Sequence, residues 1–270
     1  MVRYRCFSKK QKGDGEGGAY WHDADFEQHL LLTQYQTSYN YLLKKFPPPL
    51  CALEAGCGIG RWIIPMAQKG YEITGIEIEQ EALNIIETHY KATNLKLVNG
   101  DILNMPFQDD SFDLVISLGV LEHFEKPEIQ NKAISEHIRV MKSDGFFFVT
   151  VPHVSILRLL IHFPYTLLLS LVRKAKGKKE FFTEYRYSAR AFRRILEKNK
   201  LEIVEEIWDD LLPPYSFGLT VDYPLKRFTL SKDKIQYKMN KSSVFLQRVL
   251  WGIYPGIISG GVGYICKKSN

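Results

Sequence analysis

From residue 50 to 151, short apolar runs alternate with longer stretches in which apolar side chains recur every three or four positions. A short run reads as a strand, and the longer period reads as a helix with one buried face. The pattern predicts strands over 51–55, 72–77, 95–99, 113–118 and 145–151, and helices over 60–69, 79–91 and 127–141. The run Phe-Phe-Phe-Val-Thr-Val at 146–151 is apolar on both faces, as a parallel strand covered from two sides requires. Alternation of this kind predicts a doubly wound α/β sheet.

The flanks read differently. Residues 8–18 are polar and glycine-rich and predict an arm, followed by a helix over 25–46 that Pro47, Pro48 and Pro49 end. Residues 1–49 therefore form an N-terminal arm and roof helix, and 50–270 the main domain, with inserts at about 152–184 and 209–255. Beyond 151 comes an apolar stretch, 154–172, interrupted by Arg158, His162 and Pro164 and followed by Arg-Lys-Ala-Lys-Gly-Lys-Lys. A helix over 188–198, a strand over 201–208, a long irregular insert and a last strand over 263–267 complete the pattern.

Composition narrows the class. At 270 residues, 45% hydrophobic and 24% charged, the chain has the balance of a folded globular protein with a sizeable core. Cys6, Cys51, Cys57 and Cys266 form no C-x-x-C pair and are too scattered for a disulfide scaffold. The histidines are dispersed, so no metal site is expected. No apolar leader follows the basic start, which predicts a cytoplasmic location. Charge is uneven: residues 51–151 carry 8 basic and 15 acidic side chains, whereas 152–200 carry 12 and 3. Two faces with different partners follow from that asymmetry.

The densest chemistry lies at 52–60, Ala-Leu-Glu-Ala-Gly-Cys-Gly-Ile-Gly, between a predicted strand and a predicted helix. Gly56, Gly58 and Gly60 permit positive φ and close approach of a ligand to the backbone. A dinucleotide fingerprint needs a small residue five positions after its first glycine, where this chain has Arg61. An acidic residue at the end of the first strand, Glu54, would repel a pyrophosphate and attract an ammonium group.

Four segments in order carry a resemblance: Glu54 to Gly60; Gly75-Ile-Glu77-Ile; Asn99-Gly-Asp101-Ile; and the run from Phe112 to Phe124 containing Leu118-Gly119 and Leu-Glu-His. The chain resembles the class I S-adenosylmethionine-dependent methyltransferases, of the type acting on small molecules. The resemblance implies a Rossmann-like seven-stranded sheet, order 3-2-1-4-5-7-6 with strand 7 antiparallel. It implies S-adenosyl-L-methionine as cofactor and S-adenosyl-L-homocysteine as product. It places Glu54, Gly56, Cys57, Gly58 and Gly60 at the cofactor turn, with Cys57 a small filler and no nucleophile. Glu77, with Ile78, would take the ribose hydroxyls, Asp101 the adenine amino group, Ile102 the ring, and the backbone of Leu118 and Gly119 the methionine part. His123 and His153, beyond the fourth and fifth strands, are the candidate catalytic bases, and Tyr20 and Trp21 candidates for the roof.

The expected partner is a small-molecule acceptor, lipidic or isoprenoid in character. The apolar stretch with its trailing cations at 154–180 suits peripheral contact with the inner face of a membrane, and suits a lid over the acceptor equally well. A second apolar stretch, 249–258, has interfacial Trp and Tyr. An RNA methyltransferase using the basic 158–200 face and a non-catalytic cofactor-binding protein are the competing classes, with nucleic acid the weaker expectation. Pro213-Pro214-Tyr215 imitates a base-methylating motif but follows the wrong strand and lacks the preceding polar residue. Nothing in the sequence selects an oligomeric state.

Overall fold

The computed structural model describes residues 3–8, 26–177, 181–222, 224–232 and 235–269. Along the chain run β1 (Arg3–Ser8), α1 (Phe26–Gln34), α2 (Thr37–Lys45), β2 (Cys51–Ala55), α3 (Ile63–Gln68), β3 (Glu72–Glu77), α4 (Gln80–His89), β4 (Leu95–Asn99) and β5 (Phe112–Leu118). Then follow α5 (Pro127–Val140), β6 (Met141–Pro152), α6 (Phe163–Ala175), β7 (Phe181–Tyr187), α7 (Ala189–Lys198) and β8 (Leu201–Asp209). Two short helices, α8 (Phe217–Thr220) and α9 (Leu225–Thr229), precede α10 (Lys241–Ile253) and β9 (Gly261–Lys268).

Seven strands form one sheet in the order β4-β3-β2-β5-β6-β9-β8, which is 3-2-1-4-5-7-6 when the strands of this sheet alone are counted. β9 runs antiparallel to both neighbours. Side chains alternate across the sheet, and both faces are apolar. Leu53, Val115, Phe147 and Val149 enter one buried layer. Ala52, Leu114, Ile116 and Phe148 enter the other. The expected sheet, its order and its antiparallel strand are therefore present.

Several expected boundaries change. The helix predicted over 25–46 is two helices, because Gln36 leaves the helix to form a bridge with Leu211 while Tyr35 O accepts the Leu212 N–H. The stretch just ahead of the polar arm holds a strand: β1 pairs antiparallel with β7, and neither strand is predicted by the pattern. Residues 9–25, with most of the polar arm and both Tyr20 and Trp21, lie outside the described residues. The insert read as irregular contains three helices, and the stretch after 157 begins with a wide helical turn, Arg158–His162, leading into α6. Among the described residues no helix is long and apolar enough to cross a membrane.

Candidate active site

The site is built at the carboxyl ends of β2, β3 and β5. β2 stops where Gly56 and Cys57 both donate their N–H to Ile76 O of β3, at 2.8 and 3.1 Å. The chain then turns through Gly56 (φ 79°), Gly58 (φ 52°) and Gly60 (φ 79°) before α3 starts. A Cβ on Gly56 would stand 2.6 Å from Val120 Cγ2, so both the backbone angle and the space demand glycine there. Cys57 packs inward: its sulfur would lie 2.7 Å from a Cβ on Gly75, and burial pushes its thiol well up. That is a filler's environment, with no thiolate available as a nucleophile.

Two carboxylates face this turn. Glu77 ends β3, and its Oε2 accepts the Gly58 N–H at 2.9 Å while Oε1 accepts those of Ile78 and Glu79. Ile78 itself is exposed. Glu54 lies one residue before the end of β2, paired in register with Gly75 and Ile116, and is only 3% exposed. Its Oε2 is buried and has no hydrogen-bond partner. Burial raises the Glu54 carboxyl to about 8, with the Arg61 charge and the Ile63 N–H opposing and Glu77 assisting. A carboxylate in this position has desolvation to recover from a cation.

Asp101 follows β4 and caps its own turn, Oδ1 accepting the Leu103 N–H at 2.8 Å. Ile102 is buried in the core layer that includes Ile76 and Met105. Leu118 ends β5, and Gly119 (φ 67°) donates its N–H to Thr150 O at 3.2 Å. Strand order reverses between β2 and β5, the point at which open α/β sheets hold ligands.

Residues 53–149 match the family described as "Methyltransferase domain". Ajmaline N-methyltransferase of Rauvolfia serpentina is 37% identical over 112 residues, covering 39% of this chain and 37% of that enzyme. Squalene methyltransferase 1 of Botryococcus braunii is 34% identical over 108 residues, 38% of this chain and 28% of that enzyme. The chain thus matches well under half the length of these relatives. One chain of the complex between the Haloferax volcanii Trm112 methyltransferase activator and a methyltransferase superposes with a TM-score of 0.63, at 14% identity over 94% of this chain and 98% of that one. The likeness at that identity is one of fold. Residues 53–149 thus carry the methyltransferase-domain signature, and the fold around them is that of S-adenosylmethionine-dependent methyltransferases.

The family match makes S-adenosylmethionine the cofactor against which the residues of the site are tested. The orphaned buried Glu54 oxygen beside a turn that only glycine can make fits a ligand bringing positive charge. Three further residues belong to the neighbourhood, none of them given a role in the site by the sequence. Tyr39 on α2 is buried, its hydroxyl has no hydrogen-bond partner, and burial together with Tyr71 and Glu54 pushes its phenol well up. Arg61 directs its charge at Glu54 and at the buried Asp209. Gln36 holds both the Trp62 indole, at 3.0 Å, and Asp209, at 2.8 Å. Arg61 had a signal: it is the sole cation between 46 and 68, directly after the turn. Tyr39 had none, since its spacing with Leu42 and Phe46 reads only as a helix's apolar face.

The two candidate histidines stand in contrasting places. His123, in a single helical turn after β5, is exposed and its Nδ1 lies 2.8 Å from Thr183 O. Facing a carbonyl oxygen, Nδ1 is the donor of that contact. His153 is 5% exposed, with Nδ1 3.1 Å from Tyr187 O and its ring edge-on to Trp208. Burial, aided by the Arg158 charge, lowers it to about 4, so it is a neutral, packed ring.

Proposed function

We propose that this protein transfers the methyl group of S-adenosylmethionine to a small, largely apolar acceptor. The observation that carries the reading is Glu54, a buried carboxylate with an orphaned oxygen at the end of the first sheet strand. When bound, the cofactor supplies a methyl group on a positively charged sulfur that departs readily. The chain's own residues bind and orient. Glu54 balances positive charge, Glu77 takes the ribose hydroxyls through the lone pairs left by its backbone partners, and Asp101 faces the adenine amino group beside Ile78 and Ile102. The backbone at Leu118 and Gly119 borders the methionine part, and Gly56, Cys57, Gly58 and Gly60 let it approach. His123, exposed beyond β5 where His153 is buried, is the better placed of the two histidines to take a proton from an oxygen or nitrogen acceptor. Orientation and exclusion of water supply the rest.

An apolar acceptor is supported by the roof. A cavity of about 220 Å³ lies between Thr37, Leu211, Leu212, Pro213 and the α10 residues Gln247, Arg248, Trp251 and Gly252. Thr37 follows Gln36, which holds Trp62 just after the glycine turn. We infer in addition that the 154–180 segment contacts a membrane surface. Arg158 and Arg186, two cations of the face an RNA substrate would need, are instead paired with Asp222. Calorimetry with S-adenosylhomocysteine tests the reading: saturable binding is expected, and folded protein that binds none overturns it. Labelled methyl groups from the cofactor, incubated with cell extract, are expected in the organic phase; label confined to aqueous products rejects the apolar acceptor.

A further inference from the structure

Two helices are inside out. Around α6 the half-buried positions include His162, Tyr165, Thr166 and Ser170. One step round the helix, Leu160, Leu167, Leu168, Leu171 and Val172 are exposed, Leu160 to 68% and Leu168 to 61%. No residue of α6 is buried. In α10 the buried pair is Ser243 and Gln247, while Phe245 is 71% and Ile253 70% exposed, with Leu246 and Val249 between them. Gln247 donates to Leu211 O at 3.0 Å and Tyr215 O at 3.2 Å, which, with the packing of Val244, Leu250 and Trp251, fastens one side of α10 and leaves a second apolar stripe outward. A surface helix in water turns a polar face outward. Apolar surface of this extent marks a contact.

Charge selects the contact. No Asp or Glu occurs from 154 to 179 or from 234 to 270. Arg173, Lys174 and Lys176 follow the α6 stripe, and Lys241 and Arg248 flank that of α10. The chain's acidic excess lies in 51–151, so the two inserts carry the cationic side. Leu157, at the head of the α6 segment, packs in one small core with Val244, Leu250 and Trp251 of α10. The two stripes therefore rise from a shared base.

We propose that α6 and α10 together dock the protein on the surface of an anionic bilayer, the leucine and phenylalanine stripes at the acyl boundary and the lysines at the phosphates. This deepens the apolar-acceptor reading and rests on it only for its purpose. The roof cavity is lined on α10 by Gln247, Arg248, Trp251 and Gly252, directly beside the exposed Phe245 and Val249, so a docked protein holds that cavity next to its supply of apolar acceptor.

The test is flotation of the full chain with vesicles of phosphatidylcholine, alone or mixed with phosphatidylglycerol. Capture by the mixed vesicles is expected, weaker by about tenfold after charge reversal of Lys174 and Lys176. Leu168→Asp and Phe245→Asp should each release the protein while leaving its melting temperature and S-adenosylhomocysteine affinity in place, since both side chains are exposed. Absence of parent capture overturns the proposal, as does capture indifferent to all these changes. A concentration-dependent dimer that Leu168→Asp dissolves, without vesicle capture, overturns it in favour of a second copy on this face. Cofactor binding without capture removes the docking and spares the methyltransferase reading. Capture without cofactor binding does the reverse.

Discussion

The Glu77 carboxylate accepts the Gly58 N–H at 2.9 Å, so one charged hydrogen bond ties the end of β3 to the tip of the glycine turn. The side chain therefore holds the cradle in shape as well as facing the crevice. Glu77→Ala should weaken S-adenosylhomocysteine binding by about 1–3 kcal/mol, the range for loss of a charged hydrogen-bond acceptor. Calorimetry reads this directly, and an unchanged affinity removes Glu77 from the site.

Glu54 gives a pH signature. Its carboxyl is raised to about 8 in the fold by burial, against a model-peptide value near 4.3. A raised carboxyl binds a proton more tightly when folded, so its contribution to stability is present at low pH and falls away between about pH 4.5 and pH 8. Glu54→Gln should therefore make the cofactor-free protein more stable at pH 8, by an amount on the order of a few kcal/mol, while weakening cofactor binding. Urea unfolding at pH 5 and pH 8 checks the first part. Equal sensitivity to pH in parent and variant would show that Glu54 is solvated.

Asp222 joins the inserts to one another. Burial opposes its charge, yet Arg158, Arg186 and His162 together hold its carboxyl well below the usual range. Arg186 reaches it at 2.8 and 3.0 Å, and Arg158 also donates to His153 O and Gly260 O. Asp222→Asn leaves the buried Arg158 guanidinium without its carboxylate, while Arg186 keeps Glu184, and should cost about 3–5 kcal/mol in chemical denaturation. In the parent this contribution is complete above about pH 4 and is lost only as the pH falls toward the lowered value. A variant as stable as the parent would show the cluster to be solvated.

Gly218 is the tightest glycine of the 209–255 insert. A Cβ there would lie 1.5 Å from the backbone oxygen of Ile258, with Asp210 Oδ2 at 2.9 Å. Gly218→Ala forces α8 away from the 258–260 turn and should destabilise by about 1–3 kcal/mol or more. Thermal melting shows whether it does, and a melting temperature equal to the parent's would contradict the packing described.

Much of the sheet was legible because β2, β3, β5 and β6 are apolar in a way that only burial tolerates. The glycine turn was legible because its residues are chosen by backbone angle and by Val120's proximity to Gly56. The inserts were harder. Phe181–Tyr187 becomes a strand only because Arg3–Ser8, far away in sequence, pairs with it. Arg158 looked like a break in an apolar stretch, yet its guanidinium is buried against Asp222, a residue 64 positions later. The split between α1 and α2 depends on Leu211 and Leu212 reaching back to Gln36 and Tyr35. Long-range pairings of this kind leave no local periodicity.

The place of β9 also sets an order of assembly. Gly261–Lys268 lies between β6 and β8, paired on both sides. β8 is therefore made first but has no partner in the sheet until the later strand arrives. A nascent chain leaving the ribosome carries both β6 and β8 with unpaired edges through the synthesis of the whole 209–255 insert. Pairing so distant in sequence is slow, and the interval exposes strand edges to other chains. Recovery of soluble protein should thus depend on how quickly that last gap in the sheet is filled, and on chaperones that shield its two rims meanwhile.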